Sequence, residues 1–347
     1  RLVSLNEVGG DPEAFGTSPA AFHQQNMQRQ SHWPYSLLST STHDTKRSED
    51  VRARINVLSE IPQDWRSHVF RWSRINQRKK TEVDGEPAPS RNDEFLLYQT
   101  LLGTWPLEPM SRADRDQYIE RIQQYMMKAT HEAKVHTSWI SPHAQYEQAT
   151  REFIAALLDD SPRNAFLANF EPFAKRIAGF GIWNSLSQTL LKLTCPGVPD
   201  IYQGSELWDF SLVDPDNRRP VDFVQRQRRL VSTINLANTN GNSLEFAREL
   251  VATRHDGRIK LAVIRTVLNH RLSHPKLYAT GEYDPLEPTG SRKEHLCAFA
   301  RTSAEETVVV VVPRFVTKLV YSPDELPTGP DVWQDTWLPL PNEVIGR

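Results

Sequence analysis

L-L-S-T-S-T-H-D-T-K-R-S-E-D, from Leu37 to Asp50, is the stretch on which the fold turns. An apolar strand ends in a His-Asp pair, and a dense run of ionisable groups follows. That join puts His43 and Asp44 at the carboxyl end of a strand, where open α/β sheets and barrels keep their chemistry. Tyr35 to Ser41 reads as the strand and Ser48 to Leu58 as the helix after it, with Val51, Ile55 and Leu58 at i, i+4 and i+7. Strand, loop and helix in that order make a βα unit. Asp50 and Arg54, four residues apart, are expected to pair on the helix face.

Upstream, Leu2 to Leu5 looks like a strand, followed by a Gly- and Pro-rich loop and a polar helix over residues 19–30. Arg1 is not an initiator methionine, so the chain is expected to begin inside a larger protein. Downstream, residues 61–178 change character. Trp65, Phe70 and Trp72, then 95–102, 118–126, 153–158 and 166–173, recur at helical spacing with no strand pattern between them. The polar run T-E-V-D-G-E-P-A-P-S-R-N-D reads as a mobile loop within this helical insertion.

A second α/β signature follows. Residues 182–193 are an apolar helix, and C-P-G-V-P-D-I-Y-Q-G-S-E is a short strand opening into a loop with Trp208, Asp209, Asp214, Asp216, Arg218 and Arg219. Helices are expected from Pro220 to Leu230 and from Gly257 to about His274, the latter with Leu261, Ile264, Leu268 and Leu272 on one face. E-Y-D-P-L, H-L-C-A-F-A-R and T-V-V-V-V-V-P-R-F then read as strands of a closing β domain.

Composition excludes several classes. A formal net charge of −2 gives no general pull towards nucleic acid or anionic lipid. No run approaches the ~20 apolar residues of a bilayer span. Cys195 and Cys297 cannot make a disulfide framework, and as reduced thiols they suit a cytoplasmic protein. His131 and His136 are five apart and do not share a helical face, so the H-E-A-K-V-H run is not a zinc site. The basic run Arg218 to Arg229 lacks interleaved aromatics and reads as a solvated helix face. No phosphate-cradling glycine loop and no G-x-S-x-G is present. Carboxylates beside Tyr202 and Trp208 suit a sugar, whose hydroxyls need paired acceptors and donors while its ring face stacks on an aromatic.

S-T-S-T-H-D-T-K-R-S-E-D-V-R-A-R-I, L-N-E-V-G-G-D-P, P-G-V-P-D-I-Y-Q-G-S-E-L-W-D-F-S-L-V-D-P-D-N-R-R-P-V-D-F and D-G-R-I-K-L-A-V-I-R together resemble the maltooligosyl trehalose synthases of the α-amylase superfamily, glycoside hydrolase family 13. The resemblance implies an α/β fold, the C-terminal part of a (β/α)8 TIM barrel with a large all-helical insertion and a C-terminal antiparallel β domain. Residues 1–60 would hold the seventh barrel strand and its helix, 61–178 the insertion, 179–278 the last strand and helices, and 279–347 the β domain. The implied activity is an isomerisation: the reducing-end α-1,4 linkage of a maltooligosaccharide becomes α,α-1,1, in trehalose biosynthesis. Such enzymes retain configuration through a carboxylate nucleophile and a carboxylic acid. Asp44 matches the third carboxylate, the transition-state stabiliser, and His43 its sugar-binding partner. Lys46, Arg47, Tyr202, Glu206, Asp214, Arg218 and Arg219 match the subsites. The nucleophile and acid match nothing downstream of Asp44, so this chain by itself is expected to be silent, with the N-terminal half of the same polypeptide as its partner. No cofactor and no metal are implied. An ordinary amylase-type hydrolase or glucanotransferase, and a non-catalytic maltodextrin-binding module, stay open as alternatives.

Overall fold

The computed structural model describes residues 1–240 and 243–340. Its first regular helix is α1 (Pro19–His32), begun by Ser18, whose side chain accepts from the Ala21 N–H. Strand β1 (Leu37–Leu38) and helix α2 (Glu49–Val57) follow. The helical block comprises α3 (Pro62–Asn76), α4 (Arg91–Thr104), α5 (Arg112–Ala133), α6 (Ala144–Leu158) and α7 (Ala165–Thr194). A hairpin, β2 (Thr81–Val83) and β3 (Glu86–Ala88), lies between α3 and α4. Strand β4 (Val198–Pro199) then leads to α8 (Phe223–Asn240), α9 (Ser243–Ala252), α10 (Arg258–Ser273) and α11 (Pro275–Ala279). An antiparallel sheet of β5 (Glu282–Leu286), β6 (Leu296–Thr302) and β7 (Thr307–Pro313) precedes the short α12 (Pro330–Trp333).

β1 and β4 pair in parallel, Leu37 opposite Val198 and Leu38 opposite Pro199. The Val198 and Asp200 N–H groups donate to the Ser36 and Leu38 carbonyls, both at 2.9 Å. The strand expected over 35–41 is thus only two residues long, because its partner is confined between Gly197 and Pro199. Leu2 to Leu5, expected as a strand, is instead a single 3-10 turn over Val3–Leu5. Its polar backbone is taken up by side chains: Val3 N–H donates to Gln99 Oε1 (2.9 Å), and Val3 O accepts from Arg47 Nη1 (3.1 Å).

α2 is the most tightly held helix. Val51 and Ile55 are fully buried, and a Cβ on Gly103 of α4 would stand 2.7 Å from Val51 Cγ1. On the opposite side a Cβ on Gly181 of α7 would stand 2.6 Å from Arg54 Cγ. Two glycines therefore let α4 and α7 close on α2 from both flanks. The expected Asp50–Arg54 pair does not form. Arg54 points between those helices, its guanidinium 3.6 Å from the Phe210 ring centroid and Nη1 donating to Trp105 O (2.6 Å).

Asp50 is instead held by Lys260 of α10, whose Nζ lies 2.9 Å from Oδ2 and 2.6 Å from Glu49 Oε1. Lys192 of α7 completes the cluster at 3.1 Å from Glu49 Oε2, with Thr40 also donating to that carboxylate. Burial opposes the charge of Glu49, but the two lysines outweigh it and bring the carboxyl down to about 2. The same carboxylates raise Lys260 against the pull of burial. Asp50 shifts the other way: burial, with the neighbouring Glu49 charge, pushes its carboxyl up against the pull of Lys260. Both acids also sit in the first turn of α2, where the helix dipole favours negative charge.

The main core runs from α2 into the helical block. Fully buried Trp72 has the rings of Tyr98, Phe166, Phe170 and Phe173 with centroids 5.3–5.7 Å away, and its Nε1 donates to Asn169 Oδ1 (2.7 Å). Of the three aromatics read at helical spacing in this segment, Trp65 and Trp72 are buried, whereas Phe70 is exposed on the other side of α3. The segments read separately at 166–173 and 182–193 are one continuous helix, α7. The loop expected to be mobile at 81–93 is the β2–β3 hairpin and the start of α4. Asp84 and Gly85 both take positive φ (53° and 81°), the two-residue turn that an Asp-Gly pair favours.

Behind α7, the closing sheet buries Phe299 and Val310 against Cys195 and Tyr283. Its valine run alternates as a strand should, with Val310 and Val312 inward and Val309 and Val311 outward. Arg301 stitches this sheet to the end of α7, donating to the carbonyls of Thr194, Leu277, Tyr278 and Gly281 at 3.0–3.2 Å. The helix expected from Pro220 starts at Phe223, where the Asp222 side chain accepts from Gln225 N–H (2.8 Å). On α10, Leu261 and Ile264 are buried, but Leu268 and Leu272 are exposed, so the expected apolar stripe covers only the first half of the helix.

Two outcomes test this packing. Lys260→Met leaves buried Asp50 without its cation and Glu49 with Lys192 alone, and is expected to lower stability by about 3–5 kcal/mol, read from the denaturant midpoint at neutral pH; an unchanged midpoint would contradict the cluster. Burial pushes the Cys195 thiol up to about 12 from an ordinary 9.0, which leaves about a thousandfold less thiolate. Cys195 should therefore resist a thiol reagent in the folded chain and react once it is unfolded.

Candidate functional site

The carboxyl ends of the two parallel strands feed the two segments that carry the candidate residues. After β1 the chain enters a turn at His43 and Asp44, and both side chains are exposed. Asp44 N–H donates to Thr42 Oγ1 (3.2 Å) and Thr45 Oγ1 donates to Thr42 O (2.9 Å), so the turn is fixed locally by hydroxyls. After β4 the chain runs through Tyr202 to a loop that ends in Val213–Arg219.

The two segments are stitched together. Ser48 N–H donates to Ser211 O (2.9 Å), Asp209 N–H donates to Asp50 Oδ2 (2.8 Å), and Arg47 forms an antiparallel bridge with Leu212. Asn217 Nδ2 donates to His43 O (2.9 Å). The loop thereby reaches directly onto the His-Asp turn.

The remaining predicted residues fall into two groups. Lys46, Asp214, Arg218 and Arg219 are partly or well exposed at the rim of this junction. Lys128 Nζ is 2.8 Å from Asp214 Oδ1, and its hydrogen bond holds that carboxyl below the usual range. Arg47, by contrast, is buried, with Nη2 donating to Tyr125 OH (2.6 Å) and Nη1 to Val3 O. Glu206 accepts from Arg226 Nε and Gly204 N–H, both at 3.1 Å, and Tyr202 is half-buried at the root of the loop. Trp208, considered as a sugar platform, donates from Nε1 to Arg254 O (2.8 Å) and packs in a cluster with Leu250 and Ile259. It braces the loop from beneath.

Beside the junction lies a groove of about 630 Å³, lined by Tyr118, Arg121, Tyr125 and Lys128 of α5, by the 106–110 segment, and by Val213–Asp216 with Arg219. Four residues that sequence reading passed over link its helix wall to the two segments. Arg121, Tyr125, Lys128 and Glu132 stand at i, i+4, i+7 and i+11 on α5. Arg121 grips Asp216 with two parallel bonds, Nε to Oδ1 and Nη2 to Oδ2, both 2.8 Å. Tyr125 receives Arg47, Lys128 holds Asp214, and Glu132 lies 3.6 Å from Lys46. A polar stripe recurring at helical period along an otherwise half-buried helix was the available signal.

Other candidates resolve into structure. His131 bonds to Glu147 (2.8 Å) while His136 stacks on Tyr146 (centroids 4.6 Å apart), so the two histidines have separate partners. Among the described residues, no group of three His, Cys, Asp or Glu could hold a metal ion. In the basic run, Arg219, Arg226 and Arg229 pair with Asp216, Glu206 and Asp256. No helix of the described residues is long and apolar enough to cross a membrane.

Fold and junction define a helix-rich α/β chain whose candidate residues gather at the carboxyl ends of two parallel strands. No protein-family profile matches it. A Mycobacterium tuberculosis protein provisionally named maltooligosyl trehalose synthase, found in strains CDC 1551 and H37Rv, is 37% identical over 346 residues, which is 99% of this chain and 38% of the relative. The maltooligosyltrehalose synthase structure from Arthrobacter ramosus matches with a TM-score of 0.74 at 32% identity, covering 97% of this chain and 38% of that one. A Sulfolobus tokodaii structure named a hypothetical maltooligosyl trehalose synthase matches with a TM-score of 0.69 at 35% identity, covering 90% and 38%. Along nearly its whole length the chain is thus similar in sequence and structure to proteins named maltooligosyl trehalose synthases, and it spans about two fifths of the relatives it matches.

The junction can be tested without any assay of function. Asp216→Ala removes the acceptor for Arg121 and for Leu212 N–H (2.7 Å). A lost charge-assisted bond of about 1.5–3 kcal/mol should speed tryptic cleavage after Arg218 by about tenfold or more; an unchanged cleavage rate would show that the clamp does not hold the loop.

Proposed function

We propose that this chain is the C-terminal part of an enzyme that isomerises maltooligosaccharides to maltooligosyl trehalose by moving the reducing-end glucose from an α-1,4 to an α,α-1,1 linkage. The observation that carries the reading is the 37% identity over 99% of the chain to a relative so named, with His43 and Asp44 at the carboxyl end of β1. The parallel pairing of β1 with β4 supports their placement as neighbouring strands of a (β/α)8 barrel of glycoside hydrolase family 13.

In this reading the chemistry is retaining. A carboxylate elsewhere in the polypeptide forms the glycosyl-enzyme and an acid protonates the leaving oxygen. Asp44, exposed at its turn and without an ion pair among the described residues, places negative charge where the oxocarbenium-like transition state develops positive charge. His43 binds the same sugar. Lys46, Asp214, Arg218 and Arg219 supply donors and acceptors to the displaced glucose, which must turn over and attack through its anomeric hydroxyl before water does. Tyr202, Glu206 and Arg47 shape the subsites from below. The chain by itself is silent, works with the rest of the same polypeptide, and acts in the cytoplasm on a sugar substrate without cofactor, metal, nucleic acid or membrane.

Maltopentaose incubated with this chain alone should keep its reducing ends, whereas the complete polypeptide should convert it to non-reducing product. Asp44→Asn in the complete polypeptide should lower kcat by about 10²–10³. Non-reducing product from the chain alone, or full activity in the Asp44→Asn variant, would overturn the reading.

A further inference from the structure

One face of α5 meets both segments of the candidate site. Residues 121, 125, 128 and 132 project from the same side of the helix, and each engages a different residue of the junction: Asp216, Arg47, Asp214 and Lys46. The links differ in strength. Lys46–Glu132 is a half-exposed pair at 3.6 Å and contributes little. Arg121–Asp216 is a two-pronged bond on a carboxylate that is itself largely buried and also holds Leu212 N–H and Arg219 Nε. Arg121 Nη2 donates to Phe210 O as well, so a single guanidinium fixes both ends of the 210–216 segment.

The path continues to the chemistry. Asn217, the residue after the one Arg121 grips, donates to the carbonyl of His43. Tyr125, one turn further along α5, accepts from Arg47, three residues beyond Asp44. The His43–Asp44 turn, whose own hydrogen bonds are to neighbouring hydroxyls, is therefore set against the loop from both sides by α5.

We infer that this stripe of α5, with Arg121 as its anchor and Tyr125 as its second contact, is a positioning element that holds the loop and the His-Asp turn in the register favouring transfer to glucose over transfer to water. The inference rests on the proposed isomerase activity. In that reaction one glycosyl group has two competing acceptors, a captive glucose hydroxyl and water. Capture by the tethered acceptor depends steeply on the alignment of one hydroxyl of a bulky sugar, whereas water, small and abundant, is less demanding of it. Loosening the clamp should therefore change the partition of products more than the binding of substrate.

The test uses the complete polypeptide with maltopentaose, scoring non-reducing product against hydrolysis products, together with KM and thermal midpoint. Arg121→Ala should raise the hydrolysis share about tenfold or more relative to isomerisation, with KM changing much less. Because Arg121 lines an open groove, guanidinium ion at sub-denaturing concentration should restore the ratio in this variant, and ammonium should not. Tyr125→Phe and Asn217→Ala, milder changes, should move the ratio in the same direction and keep the inference falsifiable if Arg121→Ala does not fold. An unchanged ratio in folded variants, or a fall in rate with the ratio constant, overturns the positioning role and leaves the isomerase reading standing. A wild-type polypeptide that makes no non-reducing product overturns the functional reading and this inference with it.

Discussion

Lys260 reaching Glu49 and Asp50 is the contact on which the arrangement depends. Two adjacent carboxylates in the first turn of α2 are buried, which is costly unless both are paired. Their cations come from α7 and α10, 143 and 210 residues further along the chain. Asp50 also accepts the Asp209 N–H, and Glu49 accepts the Thr40 hydroxyl two residues past β1. One buried cluster thus joins the strand that leads to the His-Asp turn, the helix after it, and the loop that crosses over them. Only with all of these in place are the candidate residues neighbours.

Much of this was legible in the sequence. The apolar period of α2, the aromatic spacing of the helical block and the valine run of β7 follow from burial of one face, and each element appears where its pattern puts it. The Asp-Gly pair at 84–85 carries a hairpin signal in its residue types alone, since both positions need positive φ. What pattern could not supply was partnership. Asp50 and Arg54 have the spacing of a surface pair, yet α2 has no surface there, since Gly103 and Gly181 bring neighbouring helices onto both flanks. Leu2 to Leu5 has the composition of a strand, yet its hydrogen bonds go to Gln99 and Arg47.

The site shows the same division. The positions of His43, Asp44 and the Asp214–Arg219 loop at strand ends could be read from the chain alone, because a strand's end and a turn are local facts. The grip of α5 on them could not, since it links residues nearly a hundred positions apart. Arg47 and Glu206 illustrate why residue type is a weak guide to contact: each has the chemistry to meet a sugar, and each is engaged by the protein itself. Helix α5 is thereby a structural wall and the inner lining of a groove in one element.

The two-residue pairing of β1 with β4 carries a consequence for how the chain behaves in solution. Trp33, Tyr35 and Leu37 are each more than two thirds exposed, and Val198 beside them is 42% exposed. Large apolar side chains flanking a strand that pairs, among the described residues, with β4 alone form an adhesive strip that invites pairing with another strand. At this strip the isolated chain offers a surface for self-association, which a concentration series of its colloidal state would read.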